Sequence, residues 1–189
     1  MRVIAGKCRS LPLKSVPGNA TRPTTDRIKE TLFNILQSDV PGSEFLDLFA
    51  GSGGIGIEAL SRGAAHAWFV ENDRNAIRVI RDNLHFTKLE EDADVLQMDA
   101  ADAALRLNGR AVFDVIFMDP PYDQGLEQQV MHAFRGAACI HEDTLFVIEA
   151  SLDTPFDWLE PEGYTLVKEK RYKTNKHIFV KSSKGADSI

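Results

Sequence analysis

From residue 44 onward, short apolar runs alternate with longer amphipathic ones. Apolar stretches of strand length fall at 44–50 (EFLDLFA), 66–71 (HAWFVE), 94–98 (DVLQM), 112–118 (VFDVIFM) and 144–150 (TLFVIEA). Helix-like segments near 55–62, 73–87, 100–107 and 125–137 separate them. Strand and helix in turn predict right-handed crossovers and a mostly parallel sheet with helices on both faces. The end of the chain breaks this rhythm. YTLVKEKRYKTNKHIFVKS holds two strand-like runs around KTNK with no helix between them, which predicts an antiparallel hairpin and brings the sheet to seven strands. Ahead of the alternation, TTDRIKETLFNILQS opens on helix-start residues and sets Ile28, Leu32, Ile35 and Leu36 at helical spacing. SVPGNATRP reads as a loop, and MRVIAGKCRSLPLK as a small N-terminal hairpin or pair of short strands. The expected architecture is α/β and Rossmann-like. In such sheets ligands bind beyond the carboxyl ends of the strands, so the residues just after each strand carry the candidate chemistry.

After the first strand comes LDLFAGSGGIGIEAL, with Gly51, Gly53 and Gly56 in a G-x-G-x-x-G pattern and Glu71 twenty residues beyond Gly51. Glycine permits a tight turn and close approach of a ligand to the backbone, while a carboxylate at the next strand end can accept from ribose hydroxyls. A nucleoside-containing cofactor follows, and the pattern alone fits NAD or S-adenosylmethionine. Asp47 separates them. A carboxylate on the approach strand opposes a pyrophosphate but suits the ammonium and the positively charged sulfur of S-adenosylmethionine. Asp47 can equally cap the loop's backbone amides. Asp99 is placed either to accept from an adenine amino group or to cap the following helix. Phe49 beside the loop and Ala100 beside Asp99 complete the candidate cofactor set.

The fourth strand ends in Asp119, Pro120, Pro121 and Tyr122. Prolines lack the amide N–H and fix φ, so this turn offers rigid carbonyl acceptors and no competing donors. An exocyclic amine of a nucleobase has two protons to give. With the Asp119 carboxylate and the Pro120 carbonyl accepting them, the nitrogen is held with its lone pair out of the base plane, and Tyr122 offers a face for stacking.

Composition narrows the picture. At 189 residues and 21.0 kDa the chain suits one domain, and no apolar run reaches the ~20 residues that span a bilayer. The start does not read as a signal peptide. Cys8 and Cys139 make neither a disulfide framework nor a zinc knuckle, and the five histidines lack ligand spacing, so no metal is expected. The net charge of -6 conceals a segregation. Residues 1–30 carry seven Lys/Arg against two Asp/Glu and residues 168–184 seven against one, whereas 31–167 carry eight against twenty-four. Basic ends of this kind attract a polyanion locally.

DLFAGSGGIGIEA together with DPPY resembles the amino-group methyltransferases that use S-adenosylmethionine. RVIAGKCRSLPLK followed by TRPTTDRIKETLFNIL resembles, more narrowly, the bacterial RsmD family, over nearly the whole chain from Arg2 to about Val180. DPPY also occurs in adenine-N6 DNA methylases, so it sets the amine chemistry and not the base. The resemblance implies a methyltransferase domain over 23–183, a basic extension over 1–22 and a tail over 184–189. It implies a 16S ribosomal RNA substrate, free or in the small ribosomal subunit, methylated at N2 of guanine 966. The two isolated cysteines point to a reducing cytoplasm, and a monomer with no membrane partner is expected. Asp47, Gly51, Gly53, Glu71 and the Asp119–Tyr122 quartet occupy the family's motif positions. Arg22, Thr24 and Arg27 fall in its RPTTDR block, which suggests a role toward the methionine carboxylate or the RNA backbone. Arg2, Lys7, Arg9 and Lys14, with Arg22 and Arg27, are the expected RNA contacts. A nicotinamide-dependent dehydrogenase would fit the glycine loop but leaves DPPY and Asp47 without a purpose. A catalytically silent assembly factor finds no support in an intact motif.

Overall fold

A computed structural model describes residues 1–17 and 25–183. After helix α1 (Asp26–Ile35) come β1 (Glu44–Leu48), α2 (Gly54–Ser61), β2 (His66–Glu71), α3 (Arg74–Thr87), β3 (Ala93–Gln97) and α4 (Ala100–Leu107). The chain continues through β4 (Phe113–Met118), α5 (Leu126–Phe134), β5 (Ile140–Ser151), β6 (Tyr164–Arg171) and β7 (Asn175–Ser182). One seven-stranded sheet results, in the order β3-β2-β1-β4-β5-β7-β6. Strands β1 to β5 pair in parallel, and β7 joins β5 and β6 antiparallel. The order reverses between β1 and β4, so a crevice opens where the glycine loop and the proline turn leave the sheet.

The strands read as unbroken apolar runs because both faces are covered. Phe45, Phe69, Val115, Phe117, Val147 and Phe179 pack with α1, α2 and α3 on one face, here called the first face. Leu46, Val70, Ile116, Phe146 and Ile148 pack with α4 and α5 on the second. Strand β5 begins earlier than its apolar run suggests. Its register to β4 slips between Phe113–Ile140 and Val115–Leu145, so polar residues 141–143 are carried along as irregular edge.

The N-terminal hairpin is pared to one antiparallel bridge, Arg2 to Pro12, and a few turn-like backbone bonds such as the Val3 amide to the Leu11 carbonyl, because its middle also bonds to α2. The Ile4 and Ala5 amides donate to the two Glu58 carboxylate oxygens, at 2.7 and 3.0 Å. The Lys7 amide donates to the Ser61 carbonyl at 2.8 Å and the Cys8 amide to the Ser61 hydroxyl at 2.9 Å. Val3, Cys8 and Leu13 sink into the first-face core, so this segment is a wall of the domain. Gly6 makes the close approach possible: its φ is +81° and a Cβ there would sit 1.8 Å from the Ser61 carbonyl oxygen. Gly6→Ala is therefore expected to destabilise the fold by about 2 kcal/mol or more, read as a lower urea midpoint at unchanged m-value.

Candidate active site

Side chains alternate across a strand, so every second residue of the parallel strands shares the first face. Asp47 on β1, Glu71 at the end of β2, Asp119 just past β4 and Glu149 on β5 all fall on that parity. The register fixes their neighbours: Asp47 pairs with Phe117, and Met118 with Ile148, which sets Asp119 beside Glu149. Four acids therefore line one rim of the sheet.

Each is built in differently. Glu71 ties the rim together, its carboxylate accepting from the amides of Gly51 at 2.8 Å, Asn72 at 2.9 Å and Asp73 at 3.0 Å. Three bonds leave capacity for a further donor. Asp47 is buried and accepts from the Gly56 amide at 2.9 Å, so it does cap the loop helix. Burial, against the Gly56 hydrogen bond, and secondarily the charge of Glu71, push its carboxyl up to about 7. Asp119 is held well above the usual carboxylate range, first by burial and then by the charges of Glu149 and Asp47.

For Asp47, the proton is bound more tightly in the folded chain than in the unfolded one. The stability this contributes is complete below about pH 4 and disappears as pH rises through about 7. Unfolding free energy measured by urea titration is expected to decline over that window, and Asp47→Asn to flatten the decline.

The glycines divide between ligand and packing. Gly51, with φ +55°, has open space where a Cβ would stand, which leaves its backbone free to face a ligand. Gly53 caps α2 with φ +78° and lies against Ile57 and Ile80. Gly56 corrects the sequence reading of it as a cofactor contact. It is buried inside α2, its amide is spent on Asp47, and a Cβ would lie 2.3 Å from the Phe69 ring. It lets helix pack on strand. Phe49 holds φ +60°, an uncommon conformation for a bulky residue and one that clusters at functional sites. Asp99 is exposed and caps α4 through the Ala101 amide at 2.9 Å. The Ala100 methyl is buried on the second face, so only its backbone can meet a ligand.

These surroundings fit a nucleoside cofactor without phosphate. Asp47 opposes an anion at the start of α2, and the Met1 side chain covers Gly54 there, with Sδ 2.6 Å from where its Cβ would be. A row of carboxylates is the complement of a positively charged ligand.

In the proline turn, Pro120 is buried while Pro121 and Tyr122 are exposed. The Tyr122 hydroxyl donates to Glu149 Oε1 at 3.4 Å, and burial with the charges of Glu149 and Asp119 holds the phenol protonated. Glu149 was not singled out from the sequence, nor were its partners on β7, Asn175 and His177, nor Tyr172 in the β6–β7 turn. A signal existed for Glu149, which ends an apolar strand as Glu71 does.

The basic candidates separate. Arg2 pairs with Asp26 at 3.0 Å and Lys14 with Asp82 at 2.8 Å, both exposed pairs of little energetic worth. Lys7 pairs with Asp92, just ahead of β3, at 3.3 Å. It and Arg9 lie by the far end of α2, about 12 Å of helix from the glycine loop. Arg27 is exposed in the first turn of α1, and Arg22 lies outside the described residues. The exposed Lys170, Arg171 and Lys173, by contrast, surround the β6–β7 turn, which antiparallel pairing brings to the rim.

A family profile described as Conserved hypothetical protein 95 matches residues 1–181. Ribosomal RNA small subunit methyltransferase D of Haemophilus influenzae is 37% identical over 171 residues, 90% of this chain and 88% of that protein. The protein of the same name from Escherichia coli K12 is 34% identical over 172 residues, 90% of this chain and 84% of its own. A solved Escherichia coli structure described as a methyltransferase superposes with a TM-score of 0.83 at 31% identity, covering 97% of this chain and 98% of that one. The chain belongs to this family, that of the ribosomal RNA small subunit methyltransferase D proteins.

Proposed function

We propose that this protein transfers a methyl group from S-adenosyl-L-methionine to the exocyclic N2 of a guanine in 16S ribosomal RNA, guanine 966 of the small subunit by family relation. One observation carries the reading. The Asp119 carboxylate and the Pro120 carbonyl stand on the same rim, and in the same row of acids, as the open glycine loop. When bound, S-adenosylmethionine supplies a methyl group on positively charged sulfur. Gly51 and Gly53 shape the loop that receives it, Glu71 accepts from the ribose, and Asp47, Asp119 and Glu149 provide the negative field that favours a cation. Asp99 and Ala100 bound the adenine end, and Phe49 the floor.

Asp119 and Pro120 accept the two amine protons of the target base. That fixes the nitrogen and directs its lone pair out of the ring plane, with no amide donor from Pro120 or Pro121 to compete. The exposed Tyr122 ring, 41% accessible, stacks on the extruded base. Arg2, Lys14 and Arg27 hold phosphate, with Arg22 a further expected contact, and Lys7 and Arg9 extend the track down α2. Residues 1–22 serve as the basic extension of a catalytic domain over 23–183, with 184–189 a tail. Ribosomal RNA as substrate implies work in the cytoplasm. Among the described residues no helix is long and apolar enough to cross a membrane.

The test is a comparison of labelled methyl transfer to free 16S RNA, to small subunits lacking the modification, and to duplex DNA. N2-methylguanine in the RNA digest is the expected product. Transfer to DNA adenine in place of RNA would overturn the reading.

A further inference from the structure

Three strands meet at Glu149, and its hydrogen bonds orient everything around it. His177 on β7 pairs in register with Glu149, and its Nε2 donates to Glu149 Oε2 at 3.1 Å. The Tyr172 hydroxyl, which burial and then Glu149 push up to about 12, donates to His177 Nδ1 at 3.1 Å. Asn175, one pleat nearer the rim, donates its Nδ2 to Glu149 Oε1. A carboxylate accepts and does not donate, so the Asn175 amide can face it only with the NH2 group. Its Oδ1 is thereby turned away. That oxygen is buried and has no hydrogen-bond partner among the described residues, in a side chain belonging to a residue only 4% exposed. Buried acceptors are rarely left empty. The Tyr122 phenol lies within hydrogen-bonding reach of Asn175 and bonds Glu149 at a long 3.4 Å, so Asn175 adjoins the proposed base-stacking residue.

We infer that Asn175 Oδ1 reads the ring edge of the target base, accepting the N1–H of guanine next to the amine held by Asp119 and Pro120. This rests on the reading of the site as an amino-group methyltransferase and adds what that reading lacks, a reason for guanine over adenine. Guanine N1 carries a proton and adenine N1 a lone pair, so Oδ1 would meet adenine acceptor to acceptor. Glu149 is a positioning residue here, since it fixes which end of the amide faces the base. His177 and Tyr172 hold Glu149 in turn.

The experiment uses the full chain and the substrate form that accepts methyl, made with guanine or with 2-aminopurine at the target position. 2-Aminopurine keeps the N2 amine and lacks N1–H. Wild type is expected to prefer guanine in kcat/KM by roughly 10- to 100-fold, the range one base-edge contact discriminates. Asn175→Leu is expected to lose about that factor on guanine, to leave 2-aminopurine nearly unchanged, and so to bring the ratio close to one. Asn175→Ser is expected to follow it should the leucine variant fold poorly, and cofactor binding by calorimetry verifies the folded site. A ratio that stays at the wild-type value in a variant that binds cofactor overturns the inference, because a merely structural asparagine moves both substrates together. Failure of the underlying reading shows separately, as absence of transfer to guanine by wild type.

Discussion

Asp119→Ala is expected to lower the rate of methyl transfer by about a thousandfold while leaving S-adenosylmethionine binding close to wild type. The size follows from what the carboxylate does: it is one of two acceptors that hold the amine, and loss of a single preorganised partner in a dry site costs about 10²–10³ in rate. Asp119→Asn keeps an acceptor without the charge and is expected to fall in between. Neither change should unfold the chain. Asp119 is half-buried beside Glu149 and within the field of Asp47, and its carboxyl is already held in the direction of the protonated form. Neutralising it relieves repulsion among the acids. The same fact sets the pH dependence. Asp119 must be ionised to accept, so single-turnover transfer rises with pH as its proton is lost, and Asp119→Asn lacks that limb. Calorimetry with the cofactor and a single-turnover assay separate the two roles, and lost affinity with retained transfer would contradict the assignment.

Much of this site was legible because its residues sit at strand ends, where an apolar run stops at an acid or a glycine. Asp47, Glu71 and Asp119 were found that way. Glu149 carries the same mark within TLFVIEA, but no motif follows it, and its meaning comes from Asn175 and His177. Those residues are near it only because β7 inserts between β5 and β6, and a strand order of β5-β7-β6 leaves no trace in local periodicity. Gly56 shows the opposite limit. Its spacing matched a ligand loop, yet the Phe69 ring packed across it comes from the next strand and decides its role. The basic residues of the N-terminal segment form one patch only in sequence. Gly6 docks on Ser61, fifty-five positions away, and so lays the segment along α2 with Lys7 and Arg9 far from the chemistry.

Glu58→Ala should cost about 3–5 kcal/mol and lower the melting temperature by about 10 °C, the second-largest effect the structure implies. Glu58 is fully buried, and four donors converge on it. Beyond the Ile4 and Ala5 amides, Arg62 Nε lies at 2.7 Å and Lys29 Nζ at 3.4 Å. Lys29 is itself 1% exposed, and its ammonium also donates to the Arg2 carbonyl at 2.6 Å. Burial pulls the Lys29 pKa down, and Glu58 is the chief counterweight. Without the carboxylate, a buried ammonium loses its counter-ion and two half-buried amides lose their acceptor at once. Glu58→Leu combined with Lys29→Met is expected to recover part of the loss, since the stranded charge goes with its partner, but only part, because the Ile4 and Ala5 amides stay unpaired. Limited proteolysis distinguishes the contributions. In Glu58→Ala the N-terminal segment is expected to be cut before the sheet core, because Glu58 is what fastens Ile4 and Ala5 to α2. Uniform loss of protection throughout the chain would mean that the ion pair with Lys29 supports α1 and the core directly, and that the strap over α2 is secondary.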